Sequence, residues 1–429
     1  MPRSNALRSL AVLFAINILN FYDRQALGAV TEPIRKEFGL SDTQIGLLGT
    51  AFTLLYAVVG LPLGRLADNW SRKKLLAGGM VLWSALTASA GLAANYSMLL
   101  VSRLGVAVGE AVCAPTATSW LGDLFPPERR SRALAIFMLG VPIGGALSFL
   151  VTGPVAEVWG WRFAMAIAAA PALLLAPVLL MLPEPVRGAS EGYAASTAKP
   201  SPWPVLRIPT LWWIIASGAL INFNLYAVAT FLPAFLTRYH GLSVGESGFA
   251  SGIGYGVAGV TGGLVAGVFG DRIVHRRKNG RMVMAALAAL VAGPIAFVGI
   301  WQPPGSPYAS LAWICLSLGF FNMYYGLVYS SIQDIVPPSL RGTTMAVYFL
   351  AMYLCGASFG PLITGNLSDR MARRAAEAAG SPAVTEAFKS AGLQQAMYVI
   401  PVLAVALALV LYAGSRTIVR DMARRETLT

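Results

Sequence analysis

Apolar segments of about 20 residues recur along the whole chain, and this pattern constrains the fold more than any other feature. A helix of that length spans the ~30 Å hydrocarbon core of a bilayer. Because only helices and closed barrels satisfy their backbone hydrogen bonds in lipid, the segments predict transmembrane helices. We predict twelve spans, at 6–30, 43–67, 74–93, 97–121, 131–156, 161–182, 209–236, 245–270, 281–301, 309–333, 341–367 and 393–414.

The composition supports the same conclusion. Apolar residues make up 56% of the 429 residues and charged residues 12%, whereas soluble globular chains have about 45–50% and about 25%. This excludes a soluble enzyme, a disordered chain and a disulfide scaffold. The three cysteines lie in separate apolar segments, so we expect buried free thiols and no metal site. The sequence therefore predicts an all-α membrane protein.

The twelve spans divide into two sets of six, separated by a polar segment. We predict an N-terminal six-helix bundle at 1–182 and a cytoplasmic linker, rich in Pro, Ser, Gly and Ala, at 183–208. A C-terminal six-helix bundle with a cytoplasmic tail follows at 209–429.

Two pairs of segments indicate an internal repeat. Residues 60–68 align with 263–271 at an offset of 203, and residues 123–130 align with 334–341 at an offset of 211. Duplicated helical units are the architecture of many transporters, which alternate a binding site between the two sides of the membrane. We therefore expect two pseudo-symmetric bundles around a central cavity.

Lys and Arg are distributed unevenly between the two sides of this topology. With a cytoplasmic N-terminus, 22 of the 32 basic residues fall on the cytoplasmic side and 8 on the opposite, outer side. Since cytoplasmic loops are enriched in Lys and Arg, we predict a multi-pass protein of the inner (plasma) membrane with both termini cytoplasmic. The same distribution explains the net charge of +13. Basic segments beside membrane helices favour anionic lipids, so we expect membrane lipids and no nucleic acid as partners.

Several motifs resemble those of a known transporter superfamily. Residues 64–74 (GRLADNWSRKK) resemble the signature loop between helices two and three of the major facilitator superfamily. Residues 103–109 and 140–154 resemble its motifs in helices four and five. Residues 20–24 (NFYDR) and 103–111 (RLGVAVGEA) are further similar to the Spinster family of proposed lipid transporters.

The resemblance implies a secondary transporter with a latch of charged residues on its cytoplasmic side. Asp68 would pair across the two halves with Arg129, Arg130 or Arg132, and Asp271 begins the equivalent loop of the second half. The candidate latch residues are Asp68, Arg72, Arg129, Arg130, Arg132 and Asp271.

Four charged residues lie well inside the predicted spans, away from the span ends, namely Asp23, Arg24, Arg103 and Glu110. A charge at the bilayer centre costs at least about 2.5–3.5 kcal/mol, and such residues usually serve function. We predict that Asp23 carries a proton, with Glu110 as its partner or a second carrier. Arg103 would be the counter-ion and an anchor for a substrate anion, while Arg24 would contact substrate or reach the interface. A static salt-bridge cluster that fixes helix packing is the alternative.

The spans of the second half lack such charges and carry aromatic and amide side chains instead. Together the two halves predict a site that is charged on one side and aromatic on the other, which suits an amphipathic solute. The predicted substrate-binding residues are Arg24, Arg103, Glu110, Phe223, Tyr226, Phe321 and Tyr325.

We interpret the chain as a proton-coupled secondary transporter of a lipid-like solute, of sphingolipid or lysophospholipid type, or of an organic anion. A polyspecific drug exporter and a carboxylate or sugar-acid porter are alternatives within transport. A membrane-embedded lipid-modifying enzyme and a non-transporting receptor or scaffold are alternatives from other classes. We expect a monomer without cofactor. Because the sequence contains no phosphate-binding loop of the nucleotide-hydrolase type, we do not expect ATP to drive transport.

Overall fold

The computed structural model describes residues 3–187, 205–337 and 340–424. All regular elements within these ranges are helical. Of the predicted linker 183–208, the part at 188–204 lies outside the described residues.

The first half of the chain forms eight helices. Their bounds are α1 Arg3–Ala29, α2 Thr31–Phe38, α3 Asp42–Asn69, α4 Arg72–Ala90, α5 Tyr96–Glu110, α6 Cys113–Leu124, α7 Pro127–Met138 and α8 Gly140–Met181.

The second half begins with a 3-10 turn at Val205–Arg207 and also contains a π-helical turn at Tyr353–Ala357. Its α-helices are α9 Pro209–His240, α10 Val244–Arg276, α11 Gly280–Trp301, α12 Pro307–Ile335, α13 Arg341–Met352, α14 Phe359–Ala378, α15 Glu386–Met397 and α16 Val399–Ala423.

Ten helices in the described ranges are long and apolar enough to cross a membrane. One of these, at Arg132–Met181, comprises two spans, because Gly160 with φ 84° interrupts the helical backbone of α8. The twelfth span is α4, which is less apolar because it begins with three basic residues. The predicted all-α fold with twelve spans is therefore confirmed.

The helix that ends with α14 is longer than predicted. The span at 341–367 continues to Ala378, because the added residues are mostly Ala, Arg, Met and Glu. These residues favour helix and need no apolar surroundings. Hydropathy alone marks where the lipid ends, not where the helix ends.

Contacts between Cα atoms divide the chain into two compact units. The first unit takes the described residues within Met1–Leu40, Ala51–Lys199 and Ser243–Gly252. The second unit takes those within Ser41–Thr50, Pro200–Leu242 and Ile253–Thr429.

The core of the first unit is built on close helix contacts. A Cβ atom on Gly144 of α8 would lie 2.2 Å from the carbonyl oxygen of Ile18, and one on Gly109 of α5 would lie 2.8 Å from the backbone of Trp83. Small residues of this kind allow membrane helices to approach backbone to backbone. As a result, α1 packs against α8, and α5 packs against α4.

In the second unit, α9 packs directly against the helix that contains the π-helical turn. A Cβ atom on Gly356 would lie 2.2 Å from the carbonyl oxygen of Ala219, and one on Gly360 would lie 2.3 Å from that of Phe223. Turns of π-helix are frequent at functional sites. Here the turn places Tyr353 beside α9.

Candidate functional site

The charged residues of α1 and α5 meet inside the first unit. Arg24 Nε donates a hydrogen bond to Glu110 Oε2 at 3.1 Å, and both side chains are almost completely buried. Arg24 Nη2 also lies 3.5 Å from Asn20 Oδ1 one turn away. The pairing directs the Arg24 side chain toward α5 inside the first unit, while its contact with a substrate stays a prediction.

Asp23 lies beside this pair and accepts a hydrogen bond from α4, a helix in which we predicted no site residue. Thr87 of α4 donates a hydrogen bond from Oγ1 to Asp23 Oδ2 at 2.6 Å. Asp23 is only 2% exposed, and its Oδ1 accepts no hydrogen bond from the described residues. Nothing in the sequence distinguishes Thr87 from the other hydroxyl side chains of the apolar spans.

Arg103, expected as the counter-ion, lies beside the cluster without a direct ion pair to a carboxylate of the described residues, and its role stays a prediction. Its Nη2 lies 3.5 Å from the backbone carbonyl oxygen of Arg24, and its guanidinium lies 4.6 Å from the centre of the Phe52 ring. Among the described residues, Arg103 Nε makes no hydrogen bond. Arg24 is therefore the direct partner of Glu110, and Arg103 offers an unused donor.

Aromatic rings of α1 and α3 surround the two guanidinium groups. The Arg24 guanidinium carbon lies 4.6 Å from the ring centre of Phe21, 4.4 Å from that of Tyr56 and 5.5 Å from that of Phe52. A desolvated contact of this kind contributes about 2 kcal/mol or more. The sequence analysis did not identify Phe52 and Tyr56, because aromatic residues in an apolar span indicate only lipid or core contact.

The cluster keeps hydrogen-bonding capacity that the protein does not use. Within the described part of the chain, Asp23 Oδ1, Glu110 Oε1, Arg103 Nε and Asn20 Nδ2 are buried without a hydrogen-bond partner. Buried polar atoms are nearly always satisfied, so such a group indicates a place for water or a ligand. The carboxylates of Asp23 and Glu110 can exchange a proton, and the Arg103 guanidinium can donate a hydrogen bond to an anion.

The aromatic residues predicted in the second half lie inside the second unit. Tyr325 donates a hydrogen bond to Asn222 Oδ1 at 3.2 Å, and the Tyr226 and Tyr353 rings meet edge to face with centres 6.3 Å apart. Phe321 is only 2% exposed and Phe223 is also buried. These two phenylalanines belong to the core, whereas Tyr226 and Tyr325 are half-buried.

Tyrosines that the sequence analysis did not select complete this aromatic cluster. Tyr324 shares a hydrogen bond with Ser217 at 2.8 Å and another with Tyr348 at 3.1 Å. The Tyr329 ring packs edge to face on the rings of Tyr325 and Tyr348. The cluster thus combines ring contacts with hydrogen bonds from the Tyr324, Tyr325 and Tyr348 hydroxyl groups.

Arg72 was expected in the cytoplasmic latch, and the structure places it in a network within the first unit. Its side chain is fully buried, and Nη1 lies 2.5 Å from Asp123 Oδ2 at the end of α6. Nη2 donates to the carbonyl oxygen of Pro185 at 2.7 Å, and Nε lies 3.4 Å from Glu184. Arg72 thus anchors the loop between α3 and α4 to α6 and to the segment after α8.

Glu184 is the acidic side of this anchor. It accepts hydrogen bonds from the Ser71 hydroxyl at 2.7 Å and from the backbone N–H of Arg72 at 2.9 Å. Burial acts to raise the pKa of Glu184, but these hydrogen bonds outweigh it and hold the pKa below its ordinary value. The anchor therefore contains an ionised carboxylate at neutral pH.

Of the remaining latch candidates, the structure describes only the arginine side chains. The side chains of Asp68 and Asp271 lie outside the described part of the chain. Arg129 and Arg132 are exposed, and Arg130 is half-buried. Their pairing stays a prediction.

Comparisons with known proteins agree with the motifs. Residues 13–361 match the model of the Major Facilitator Superfamily. An MFS-type efflux pump of Mycolicibacterium smegmatis is 33% identical over 379 residues, which cover 86% of each chain. Protein spinster homolog 1 of Bos taurus is 30% identical over 397 residues, which cover 85% of this chain and 73% of the relative.

Solved structures show the same similarity. A bacterial homolog of the human lysosomal transporter Spinster, in an inward-facing and unoccupied conformation, superposes with a TM-score of 0.89. It is 27% identical, and the match covers 98% of this chain and 99% of the other. A D-xylose–proton symporter, 17% identical with a TM-score of 0.72, shares the fold. The chain belongs to the major facilitator superfamily and is a multi-pass membrane transporter that resembles the Spinster proteins.

Proposed function

We propose that this transporter couples the movement of an amphipathic solute, lipid-like or an organic anion, to protons by alternating access. It acts as a monomer in the inner membrane with both termini cytoplasmic. The buried Arg24–Glu110 pair beside Asp23 is the observation that carries this proposal. A lipid-modifying enzyme is set aside, because the family and the relatives are transporters.

The ion pair supplies the coupling step. When Glu110 takes up a proton, Arg24 loses the negative charge with which it is paired. The guanidinium then becomes available to a substrate anion, which a planar guanidinium binds through two parallel hydrogen bonds. When the anion leaves, Glu110 can release its proton and restore the pair.

Asp23 provides the second titratable group. One of its oxygens is held by Thr87, and the other is open among the described residues. A proton that binds to the open oxygen needs no rearrangement of Thr87. Asp23 and Glu110 thus share the proton between α1 and α5, with Arg103 as a second positive group.

The substrate proposal follows from the two kinds of surface. The charged cluster suits a polar or anionic head, and the ring surface of Tyr226, Tyr325 and Tyr329 suits an apolar chain. The relative described as an MFS-type efflux pump favours a second candidate, a polyspecific drug exporter.

The coupling test uses purified protein in proteoliposomes with an imposed pH gradient. Two probes, a fluorescent lysophospholipid and ethidium, distinguish the lipid-like substrate from the drug. Asp23→Asn and Glu110→Gln should abolish gradient-driven transport and leave exchange without a gradient partly intact, because an amide mimics the protonated acid. The matched control is Glu377→Gln, which removes an exposed carboxylate of α14. Normal gradient-driven transport in both site variants would contradict proton coupling at this site.

A further inference from the structure

Two helix ends belong to the unit formed mainly by the other half of the chain. Ser41–Thr50, which contains the N-terminus of α3, lies in the second unit, and Ser243–Gly252, with the N-terminus of α10, lies in the first. The two segments have equal length and are 202 residues apart, close to the offset of the internal repeat. Both ends lie on the predicted outer side of the membrane.

A carboxylate holds the N-terminus of α3 inside the second unit. Asp369 of α14 accepts hydrogen bonds from the backbone N–H of Asp42 at 3.0 Å and of Thr43 at 2.8 Å. It also accepts one from the Thr43 hydroxyl at 2.5 Å. The first N–H groups of a helix have no partner within the helix, and the positive end of its dipole favours an anion. We call this set of contacts the α3 latch.

The first unit contains the equivalent contact at α10. Glu157 Oε2 accepts hydrogen bonds from the backbone N–H of Gly245 at 2.6 Å and from the Ser243 hydroxyl at 2.8 Å. Glu157 and Asp369 are 212 residues apart, again close to the repeat offset. We call these contacts the α10 latch.

Glycines at equivalent positions let the backbones touch beside each latch. A Cβ atom on Gly153 would lie 2.9 Å from Gly248 Cα, and one on Gly365 would lie 2.1 Å from the carbonyl oxygen of Asp42. Gly153 and Gly365 are 212 residues apart as well. The carboxylate and the close contact therefore occur together twice, at positions related by the repeat.

Both helix ends have capping hydrogen bonds that do not involve Asp369 or Glu157. In α3, Ser41 Oγ accepts from the Gln44 N–H at 3.2 Å, and Gln44 Oε1 accepts from the Ser41 N–H at 2.9 Å. Ser243 and Glu246 make the same reciprocal pair in α10, at 3.1 and 2.9 Å. A helix with such a capping box keeps its end intact when another partner leaves. The carboxylates can therefore detach without unwinding the helices.

The α3 latch is the stronger of the two. Asp42, which begins α3, also forms an ion pair with Arg238 at 2.9 Å, and both side chains are only 4% exposed. The Ser368 hydroxyl donates to the same Asp42 carboxylate at 2.6 Å. Glu157, in contrast, is exposed, and solvent weakens charged contacts at the surface.

We propose that Asp369 and Glu157 are paired, detachable latches that hold the outer ends of α3 and α10 and must release them when the outer side opens. Of the two, the α3 latch contributes more to keeping the outer side closed. The inference rests on transport by this family and not on proton coupling.

The test measures how often the end of α3 separates from its neighbours. Thr50 is buried and its hydroxyl donates to the carbonyl oxygen of Ser358. In a protein without the three native cysteines, Thr50→Cys is labelled from the outer side with a membrane-impermeant maleimide. Asp369→Asn should raise the labelling rate at least fivefold, whereas Glu377→Gln on the same helix should leave it unchanged.

The α10 latch is measured in the same way at Ser251→Cys, since Ser251 is buried in the first unit. Glu157→Gln should raise its labelling rate about twofold, in line with the exposed position of Glu157. If Asp369→Asn does not fold, Thr43→Val removes one donor of the α3 latch, leaves the capping box, and should raise Thr50→Cys labelling to a smaller extent.

Equal labelling of Thr50→Cys in the Asp369 and Glu377 variants would overturn the proposal. Labelling needs neither a substrate nor a pH gradient. Failure of the coupling test at Asp23 and Glu110 would therefore leave this result unaffected.

Discussion

At the scale of single residues, burial explains why Arg24 has so many partners. An isolated charge is expensive to remove from water, and a buried ion pair recovers that cost only with further hydrogen bonds and close contacts. Arg24 has one carboxylate, one amide and three aromatic rings around it. Replacement of any partner leaves a buried charge less compensated, so this site tolerates few changes.

Thr87 provides the sharpest prediction at this scale. Thr87→Val keeps the shape of the side chain but leaves the Asp23 carboxylate without its 2.6 Å hydrogen bond. Loss of such a bond to a buried group costs about 1–3 kcal/mol. We expect a lower midpoint of thermal unfolding and weaker gradient-driven transport in Thr87→Val, with both restored in Thr87→Ser. Equal behaviour of the two variants would show that the hydroxyl does not position Asp23.

At the scale of elements, the termini of the helices carry as much of the organisation as their packed faces. The loop between α3 and α4 is fixed through Arg72 to α6 and to the segment after α8. The Glu184 carboxylate accepts from the start of α4, where the free N–H groups and the helix dipole favour an anion. This network connects the loop between α3 and α4, helix α6 and the segment after α8 within the first unit.

The lowered pKa of Glu184 predicts how this anchor depends on pH. A carboxyl group whose pKa is lower in the folded state stabilises the fold above its unfolded value, and this contribution is lost as pH falls through the folded value. Wild type should therefore unfold at a higher temperature than Glu184→Gln at pH 7. The difference should shrink as the pH falls below the ordinary value of 4.5. Thermal unfolding between pH 3 and 7 measures it, and a constant difference would contradict the role of the charge.

At the scale of the whole molecule, the two halves of the repeat have kept their helical framework and diverged in chemistry. The carboxylates at the outer ends of α3 and α10 and the glycines beside them are repeated. The charges of α1 and α5 have no counterpart in the predicted spans of the second half, which carry tyrosines. The two units therefore share a scaffold and differ in their buried polar and aromatic side chains.

This division predicts how affinity depends on the length of the apolar chain. Tyr325→Ala removes apolar contact worth about 25 cal/mol per Å², so binding should weaken more for long-chain than for short-chain lysophospholipids. Tyr325→Phe keeps the ring and loses only the hydrogen bond to Asn222, so it should retain the preference for long chains. Binding of a homologous series to both variants measures this. An equal loss at every chain length in Tyr325→Ala would remove the case for a lipid-like substrate.

The amino-acid sequence by itself determined the twelve spans, the internal repeat and the residues with charge inside the membrane. These features are visible locally, because lipid penalises every polar group and a charge within an apolar segment stands out. Only the tertiary structure decided that Arg24 rather than Arg103 pairs with Glu110, and that Thr87 holds Asp23. Those partners lie on different helices, 64 and 86 residues apart along the chain. Helix packing sets such distances, and a threonine inside an apolar span has the same local pattern whether it faces a carboxylate or its own backbone.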